Sequence, residues 1–293
     1  MTEITTTPLT DCFGVRIEDI DLRDVSETRF YPEIRALFET HSALLFPGQS
    51  LSPDDHMRFA RLFGPIEDRQ ADERKSGEAF TVPQVTNETE TGVTGEMDLH
   101  TLNLKSNFLW HADSTFLPVP ALANILIGRV VTETGGATEL ASTRAALAAM
   151  PEDLRRRIEG RRLIHRYSHS RARISPELAK LAMFNKWDDQ TWPAIWTNPV
   201  NGQPAIYIAS HAFAVEGMDA EAGTALIDEV IAFCTAPRFV YSHQWREGDV
   251  LLWDQRAVLH RGTPWPFDKP RTLSSLCVSV SEADGLMTMR GVA

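Results

Sequence analysis

Trp110-His111-Ala112-Asp113-Ser114-Thr115-Phe116 sets an imidazole and a carboxylate two residues apart between apolar side chains. Read as a strand, residues i and i+2 share one face, so His111 and Asp113 can converge on a single metal ion. A histidine, a carboxylate and a second histidine on one triangular face leave three positions open, the arrangement of non-heme Fe(II) oxygenases. With 9 His and 19 Asp in 293 residues, about 0.6 His-x-Asp pairs arise from composition alone. The pair therefore argues nothing by itself. It gains meaning only if another strand of the same barrel brings a second histidine to it.

Working outward, residues 109–113 read as a strand, and Pro118 and Pro120 separate it from the apolar run Ala121 to Val131, a second strand. Gly135-Gly136 turns into Ala137-Thr138-Glu139-Leu140. Ser142 caps a helix through Met150, and Pro151-Glu152-Asp153 starts another through Gly160. Arg161 to Tyr167 reads as a strand. Ile195 to Asn198 and Ala205 to Ala209 bracket Pro199-Val200-Asn201-Gly202 as a hairpin. Apolar residues Ala222, Leu226, Ile227, Val230 and Ile231 make Asp219 to Phe233 a helix. Strands follow at 238–245, 250–253, 257–260 and 272–280.

Upstream, residues 13–22 alternate like a half-buried strand, and Tyr31 to His41 carries Ile34, Leu37 and Phe38 at helical spacing. Ala43-Leu44-Leu45-Phe46 is a short strand closed by Pro47-Gly48. Ser52-Pro53-Asp54-Asp55 is a helix start, with Phe59, Ala60 and Phe63 as its buried side and Gly64-Pro65 as its stop. Residues 66–108 and 168–193 lack clear periodicity. Their length without elements reads as two functional lids. Many short strands with helices early and in the insertions predict a mainly β fold with helical decoration, an antiparallel barrel or sandwich in one domain over 1–293.

Composition bounds the function. With 43% apolar and 24% charged residues the chain is an ordinary globular protein. A net charge of −11 and a pI near 5.3 argue against a general nucleic-acid or anionic-membrane surface. Cys12, Cys234 and Cys277 are odd in number and lack CxxC spacing, so neither a disulfide framework nor a zinc knuckle is indicated. The stretch MTEITTTPLT has neither a basic nor an apolar signal region, and the longest apolar run is too short to span a bilayer. The expectation is a reduced, cytoplasmic protein.

His260 ends an apolar strand far from Asp113 and is the best candidate for the third ligand. Around it the sequence resembles a known family, the Fe(II)/2-oxoglutarate dioxygenases of the taurine dioxygenase and 2,4-dichlorophenoxyacetate dioxygenase (TauD/TfdA) type. The resemblance runs through EDIDLRD at 18–24, LLFPGQSLSPDDHMRFARLFGPIE at 44–67, LWHADSTF at 109–116 and GGATEL at 135–140. It continues through NPVNGQPAIYI at 198–208 and GDVLLWDQRAVLHRG at 248–262 to Pro270-Arg271. It implies a double-stranded β-helix (jelly-roll) core with lid insertions, and His111, Asp113 and His260 as ligands of Fe(II). It further implies Thr138 and Arg271 on the distal carboxylate of 2-oxoglutarate, Trp253 packed near the iron, and dioxygen as the other cosubstrate. A guanidinium fork suits that buried carboxylate because it bonds both oxygens at once.

The sequence departs from the family where the substrate anion is held. A second arginine, four residues after the cosubstrate arginine, is here Ser275. A histidine of the family's hairpin is Asn198. The resemblance places Asn107, four before His111, and His211 near substrate. On a continuing strand Asn107 would share a face with His111. Arg69, Lys75 and Lys105 offer positive charge in or beside the first lid. Phe80, Phe108, Phe116, Phe184, Trp187 and Trp192 favour an aromatic or apolar body. The expected function is hydroxylation, with or without C–O or C–S cleavage, of a small organic acid such as an aryloxyalkanoate. Taurine or an alkylsulfonate is the alternative substrate, and a non-catalytic small-acid-binding jelly-roll protein the alternative class. A zinc hydrolase using His111 and His260 leaves Thr138 and Arg271 unexplained. The expected partners are the organic acid and further copies of the chain in a homo-oligomer of two to four, with no nucleic acid and no membrane.

Overall fold

Strands supply most of the architecture in the computed structural model, which describes residues 4–90, 92–93 and 98–291. A seven-stranded sheet runs in the order Thr6–Pro8, Val15–Ile17, Ala43–Phe46, Val250–Asp254, Ala121–Val130, Thr272–Ser279, Gln84–Thr86. Its neighbours are antiparallel except Val15–Ile17, which lies parallel to Ala43–Phe46. Opposite it, Thr138–Ser142 pairs with Val240–His243 on one side and Val258–Gly262 on the other. A further sheet places Arg162–His165 between Gln190–Pro193 and Ala212–Val215.

Residue parity decides what each strand buries, because successive side chains alternate across a sheet. Leu44, Phe46, Ile125, Ile127, Val250, Leu252, Leu276 and Val278 pack together with Ile34, Phe38, Phe59 and Phe63 of the helices Tyr31–His41 and Pro53–Phe63. Their neighbours Ala43, Leu45, Leu126, Leu251, Trp253 and Leu273 form a separate layer with Leu140 and Val258 of the facing sheet. Beyond that sheet, Ala141 and Leu259 pack on Leu226, Ile227 and Val230 of the helix Ala220–Cys234. Asn124, Ser275 and Cys277 share parity with the inner layer of the large sheet, and Thr138 and His260 with that of the small one. The polar residues of interest thus fall between the two sheets.

Local chemistry fixes the ends of these elements. Ser52 Oγ accepts from the Asp55 N–H at 3.1 Å while the Asp55 carboxylate accepts from the Ser52 N–H at 3.2 Å. Such a reciprocal cap is worth about 1 kcal/mol. Arg256, 1% exposed, donates through Nη2 to both oxygens of Glu39 at 2.8 Å and through Nε to Asp254 Oδ1 at 2.8 Å. Asn198 Nδ2 completes the group by donating to Glu39 Oε2 at 2.8 Å. This buried network joins the first helix, the turn after Val250–Asp254 and the hairpin of Ile195–Thr197 with Pro204–Ile206.

Three expectations are corrected. Residues 109–113 are not a strand: a 3-10 turn, Ser106–Phe108, leads to one antiparallel bridge between His111 and His260. The chain then turns at Ser114, whose φ is 59°, and the Leu117 N–H closes on the Ser114 carbonyl at 2.9 Å. Segment 66–108 is not featureless: Gln84–Thr86 is an edge strand, Glu88–Thr89 pairs with Gly92–Val93, and Leu99–Lys105 is a helix capped by Asp98. Residues 91 and 94–97 of this lid lie outside the described residues. Segment 168–193 carries most of the helix Tyr167–Ala172, the helix Pro176–Ala179 and the strand Gln190–Pro193. Elements this short show no period in a sequence window. Among the described residues no helix is long and apolar enough to cross a membrane.

Candidate active site

The His111–His260 bridge brings two imidazoles together at the inner end of the two sheets, ring centroids 4.1 Å apart. The turn at Ser114 swings Asp113 back towards them. His111 Nε2 lies 3.8 Å from Asp113 Oδ1 and His260 Nε2 lies 3.5 Å from Oδ2. The three prospective donor atoms are within 4.8 Å of one another. His111 Nδ1 is 2.7 Å from the Leu109 carbonyl oxygen, which can only accept. The proton therefore sits on Nδ1, and Nε2 keeps its lone pair.

Asp113 is held from several directions. Its N–H donates to Gln255 Oε1 at 3.0 Å, and its Oδ2 accepts from Gln255 Nε2 at 2.5 Å and Asn124 Nδ2 at 2.8 Å. Cys277 Sγ approaches the same oxygen at 3.6 Å. Burial would push the Asp113 carboxyl up, but His260, His111, Arg69 and the Asn124 hydrogen bond together hold it well below the usual carboxylate range. Burial lowers both imidazoles, His260 to about 3. Neutral imidazoles beside an ionised carboxylate are the donor states a divalent metal takes. The residues fit such an ion.

The set opens into a cavity of about 460 Å³ that also reaches Thr138 and Arg271. Arg271 is 4% exposed, and its guanidinium lies 4.7 Å over the Trp265 ring. Its Nε and Nη2 donate to the Gly136 carbonyl at 3.1 and 2.8 Å, and its backbone N–H donates to Asn87 Oδ1 at 2.8 Å. Gly136 has φ +64°, and a Cβ there would stand 2.8 Å from Arg271 Nε, so the turn must be glycine. Burial lowers the guanidinium to about 10, which leaves it charged at neutral pH. No carboxylate among the described residues pairs with it. Thr138 Oγ1 accepts from Trp245 Nε1 at 3.0 Å, leaving the threonine O–H to donate.

Of the candidate substrate positions, Asn107 and Ser275 line the cavity. Asn107 reaches it from the 3-10 turn Ser106–Phe108 rather than from a strand. The Ser275 hydroxyl donates to Asn124 Oδ1 at 3.1 Å. Phe116, His211 and Trp253 stand behind the wall. Phe116 stacks on Tyr167 with ring centroids 3.7 Å apart, His211 Nδ1 is 3.3 Å from Thr115 Oγ1, and Trp253 lies 4.7 Å from the His260 ring. Tyr167, Trp187, Phe80, Phe108 and Trp265 supply the aromatic wall. Lys186 ties the second lid to the first, its Nζ bonding Asp72 at 2.5 Å, Glu73 at 3.0 Å and the Arg69 carbonyl at 3.3 Å. Gln255, Asn124, Trp245 and Asn87 escaped the sequence reading. Each acts across a long sequence separation or between strands, and only Gln255, inside the WDQRA run, had a motif to mark it.

A family model described as "Taurine catabolism dioxygenase TauD, TfdA family" matches residues 5–277. The chain is 34% identical over 270 residues to the alpha-ketoglutarate-dependent 2,4-dichlorophenoxyacetate dioxygenase of Cupriavidus pinatubonensis, covering 91% of this chain and 94% of that one. It is 32% identical over 283 residues to the (S)-phenoxypropionate/alpha-ketoglutarate-dioxygenase of Delftia acidovorans, with 93% and 94% covered. Among solved structures it superposes on AAD-2 in complex with Mn(II) and N-oxalylglycine at a TM-score of 0.88, with 27% identity and 96% and 99% coverage.

Proposed function

The chain belongs to the TauD/TfdA family of 2-oxoglutarate-dependent dioxygenases, and from that premise we propose that it hydroxylates an aryloxyalkanoate or a similar aromatic carboxylate. The observation that carries the reading is Arg271. A buried guanidinium without a carboxylate partner shares one cavity with the His111, Asp113 and His260 donor set. Such a charge is costly unless a ligand brings the anion. The far carboxylate of 2-oxoglutarate would be that anion, with the Thr138 hydroxyl free to donate in the same cavity. His111, Asp113 and His260 would hold Fe(II). Iron(II), 2-oxoglutarate and dioxygen together supply the oxidising power to replace C–H by C–OH, with succinate and CO2 as coproducts.

The protein's own part is orientation and exclusion of water. Gln255 and Asn124 both bond Asp113 Oδ2 and so fix the carboxylate's orientation beside the two imidazoles that would share the metal with it. Trp265, Phe108 and the Tyr167–Trp187 wall shield the reacting carbon. We read the facing sheets as a double-stranded β-helix core of one domain, with 66–108 and 168–193 as its lids; the aromatic and charged contacts these segments make over the cavity support that. If the hydroxylated carbon also bears an ether oxygen, the product is a hemiacetal and the C–O bond breaks. The relatives named for phenoxy acids and the aromatic wall both favour such a substrate over a small aminosulfonate.

Anaerobic addition of Fe(II) and 2-oxoglutarate is expected to give the weak visible charge-transfer band of the chelate, lost in His111→Ala. A succinate-formation screen across aryloxyalkanoates, alkylsulfonates and aromatic acids then ranks substrates. Absence of the band in the wild type refutes the cofactor assignment, and preference for sulfonates refutes the substrate class.

A further inference from the structure

The anion of the substrate needs a holder, because Ser275 carries no charge and spends its hydroxyl on Asn124. The cations around the cavity are mostly matched. Arg74 pairs with Asp68 at 2.7 Å, Arg261 with Glu139 at 2.7 Å, and Arg69 with Glu67. Lys186 meets two acids. Arg171, immediately behind the wall, is the exception besides Arg271: it is 8% exposed and has no carboxylate partner among the described residues. Its guanidinium lies 4.4 Å over the Tyr167 ring and 5.0 Å over Phe184. Its Nη1 donates to Ser170 Oγ at 2.9 Å, its Nη2 to the Tyr167 oxygen at 3.3 Å, and its Nε is buried without a partner.

A buried guanidinium without a carboxylate partner is costly unless an anion reaches it, directly or through a bonded neighbour. The group that Arg171 awaits is therefore negatively charged, as the carboxylate of an organic acid is.

We propose that the Tyr167 hydroxyl, backed by the Arg171 guanidinium, holds the carboxylate of the substrate on the second-lid side of the cavity. Tyr167 lines the cavity and its oxygen already accepts from Arg171. Its own O–H has no acceptor among the described residues and is left to donate. Arg171 is 8% exposed and packed against the edge-to-face pair of Tyr167 and Phe184, so it cannot swing to solvent; its charge acts through the tyrosine oxygen and polarises that donor. Tyr167 is the contact residue and Arg171 a positioning residue. The phenyl body then lies along the Trp187 and Phe108 side, within reach of the metal set. The inference rests on the dioxygenase reading above.

The test uses the anaerobic Fe(II)/2-oxoglutarate complex of the full chain, titrated with phenoxyacetate and with its methyl ester while the visible band is followed. The wild type is expected to prefer the acid. In Tyr167→Phe and in Arg171→Met, acid affinity is expected to fall about 10- to 100-fold, the loss of a hydrogen bond to a charged group. Ester affinity is expected to fall less than about 10-fold in Tyr167→Phe, and less than that of the acid, since its carbonyl accepts only a neutral hydrogen bond. The band itself reports that each variant folds. Equal losses for acid and ester, unchanged acid affinity, or a wild type that binds the two alike or binds neither, overturn the proposal. A wild type without the band overturns the dioxygenase reading and takes this inference with it.

Discussion

Gln255→Leu isolates how much of the proposed metal site is built by residues outside the donor set. Gln255 is 1% exposed and brackets Asp113, donating to Oδ2 at 2.5 Å and accepting the Asp113 N–H at 3.0 Å. Leucine fills a similar volume and removes both bonds. The carboxylate loses one charge-assisted hydrogen bond, worth about 1.5–3 kcal/mol. At about 1.4 kcal/mol per decade this is roughly a 10- to 100-fold weaker metal site. The lost bond to the Asp113 N–H strikes the apo protein, at about 1–3 kcal/mol of stability. The two effects separate in the assay: Fe(II) affinity is read by anaerobic titration, and apo stability by thermal melting. An Fe(II) Kd within about twofold of wild type, in a variant that still melts cooperatively, refutes the view that Gln255 orients the proposed ligand.

Other outcomes follow from the same geometry. Arg271→Ala removes the buried cation proposed to meet the cosubstrate, and 2-oxoglutarate binding should weaken by about 2–5 kcal/mol; Arg271→Lys should recover only part, since it keeps charge without the fork. Unchanged cosubstrate affinity in an anaerobic titration contradicts the assignment. Trp245→Phe deletes the donor to Thr138 Oγ1, so the 2-oxoglutarate KM should rise by about 0.5–1.5 kcal/mol, with kcat nearly preserved. Arg256→Met leaves Glu39 and Asp254 buried without their main partner, and urea unfolding should show a loss of about 3–5 kcal/mol. The acid limb of wild-type stability comes from the same region. Burial opposes ionisation of Glu39 and Asp284, but Arg256, Arg35 and Asn198 hold the Glu39 carboxyl below its ordinary value, and Ser281 and Arg35 do the same for Asp284. A depressed folded pKa stabilises above the unfolded value and is lost as pH falls through the folded one. Melting temperature should therefore hold above about pH 5 and drop below about pH 4; a flat profile through that range contradicts it.

The helices Tyr31–His41 and Pro53–Phe63 were legible because their caps and apolar spacing are local. So was the apolar run of Ala121–Val130. The layer assignment was half legible: alternation shows that Leu44 and Leu45 face opposite ways, and only packing shows which way the site lies. The stretch that opened the reading was misjudged in conformation. Ser114 takes a left-handed φ that sequence ordinarily assigns to glycine or asparagine, and its hydroxyl is met by Arg69 Nη2 at 2.9 Å. That contact crosses from the lid and has no local signature. Asn87 is a similar case, its Nδ2 bonding the carbonyls of Phe267 and Lys269 at 3.0 and 2.9 Å. It fixes the loop before Arg271 from 180 residues away or more. Asn198, which departs from the family, turned out to complete the Glu39 network.

Asp113 is bracketed by groups lying 142 and 164 residues further along the chain. Its neighbouring imidazole partner, His260, lies between those two in the sequence. During synthesis the first two ligand side chains emerge long before any of these, and closing so long a loop costs the unfolded chain entropy that only the finished sheets repay. A nascent or partly unfolded molecule accordingly offers iron two loosely held side chains in place of three oriented ones. The oriented donor set is thus a property of the closed sheets and not of any one local segment of the chain.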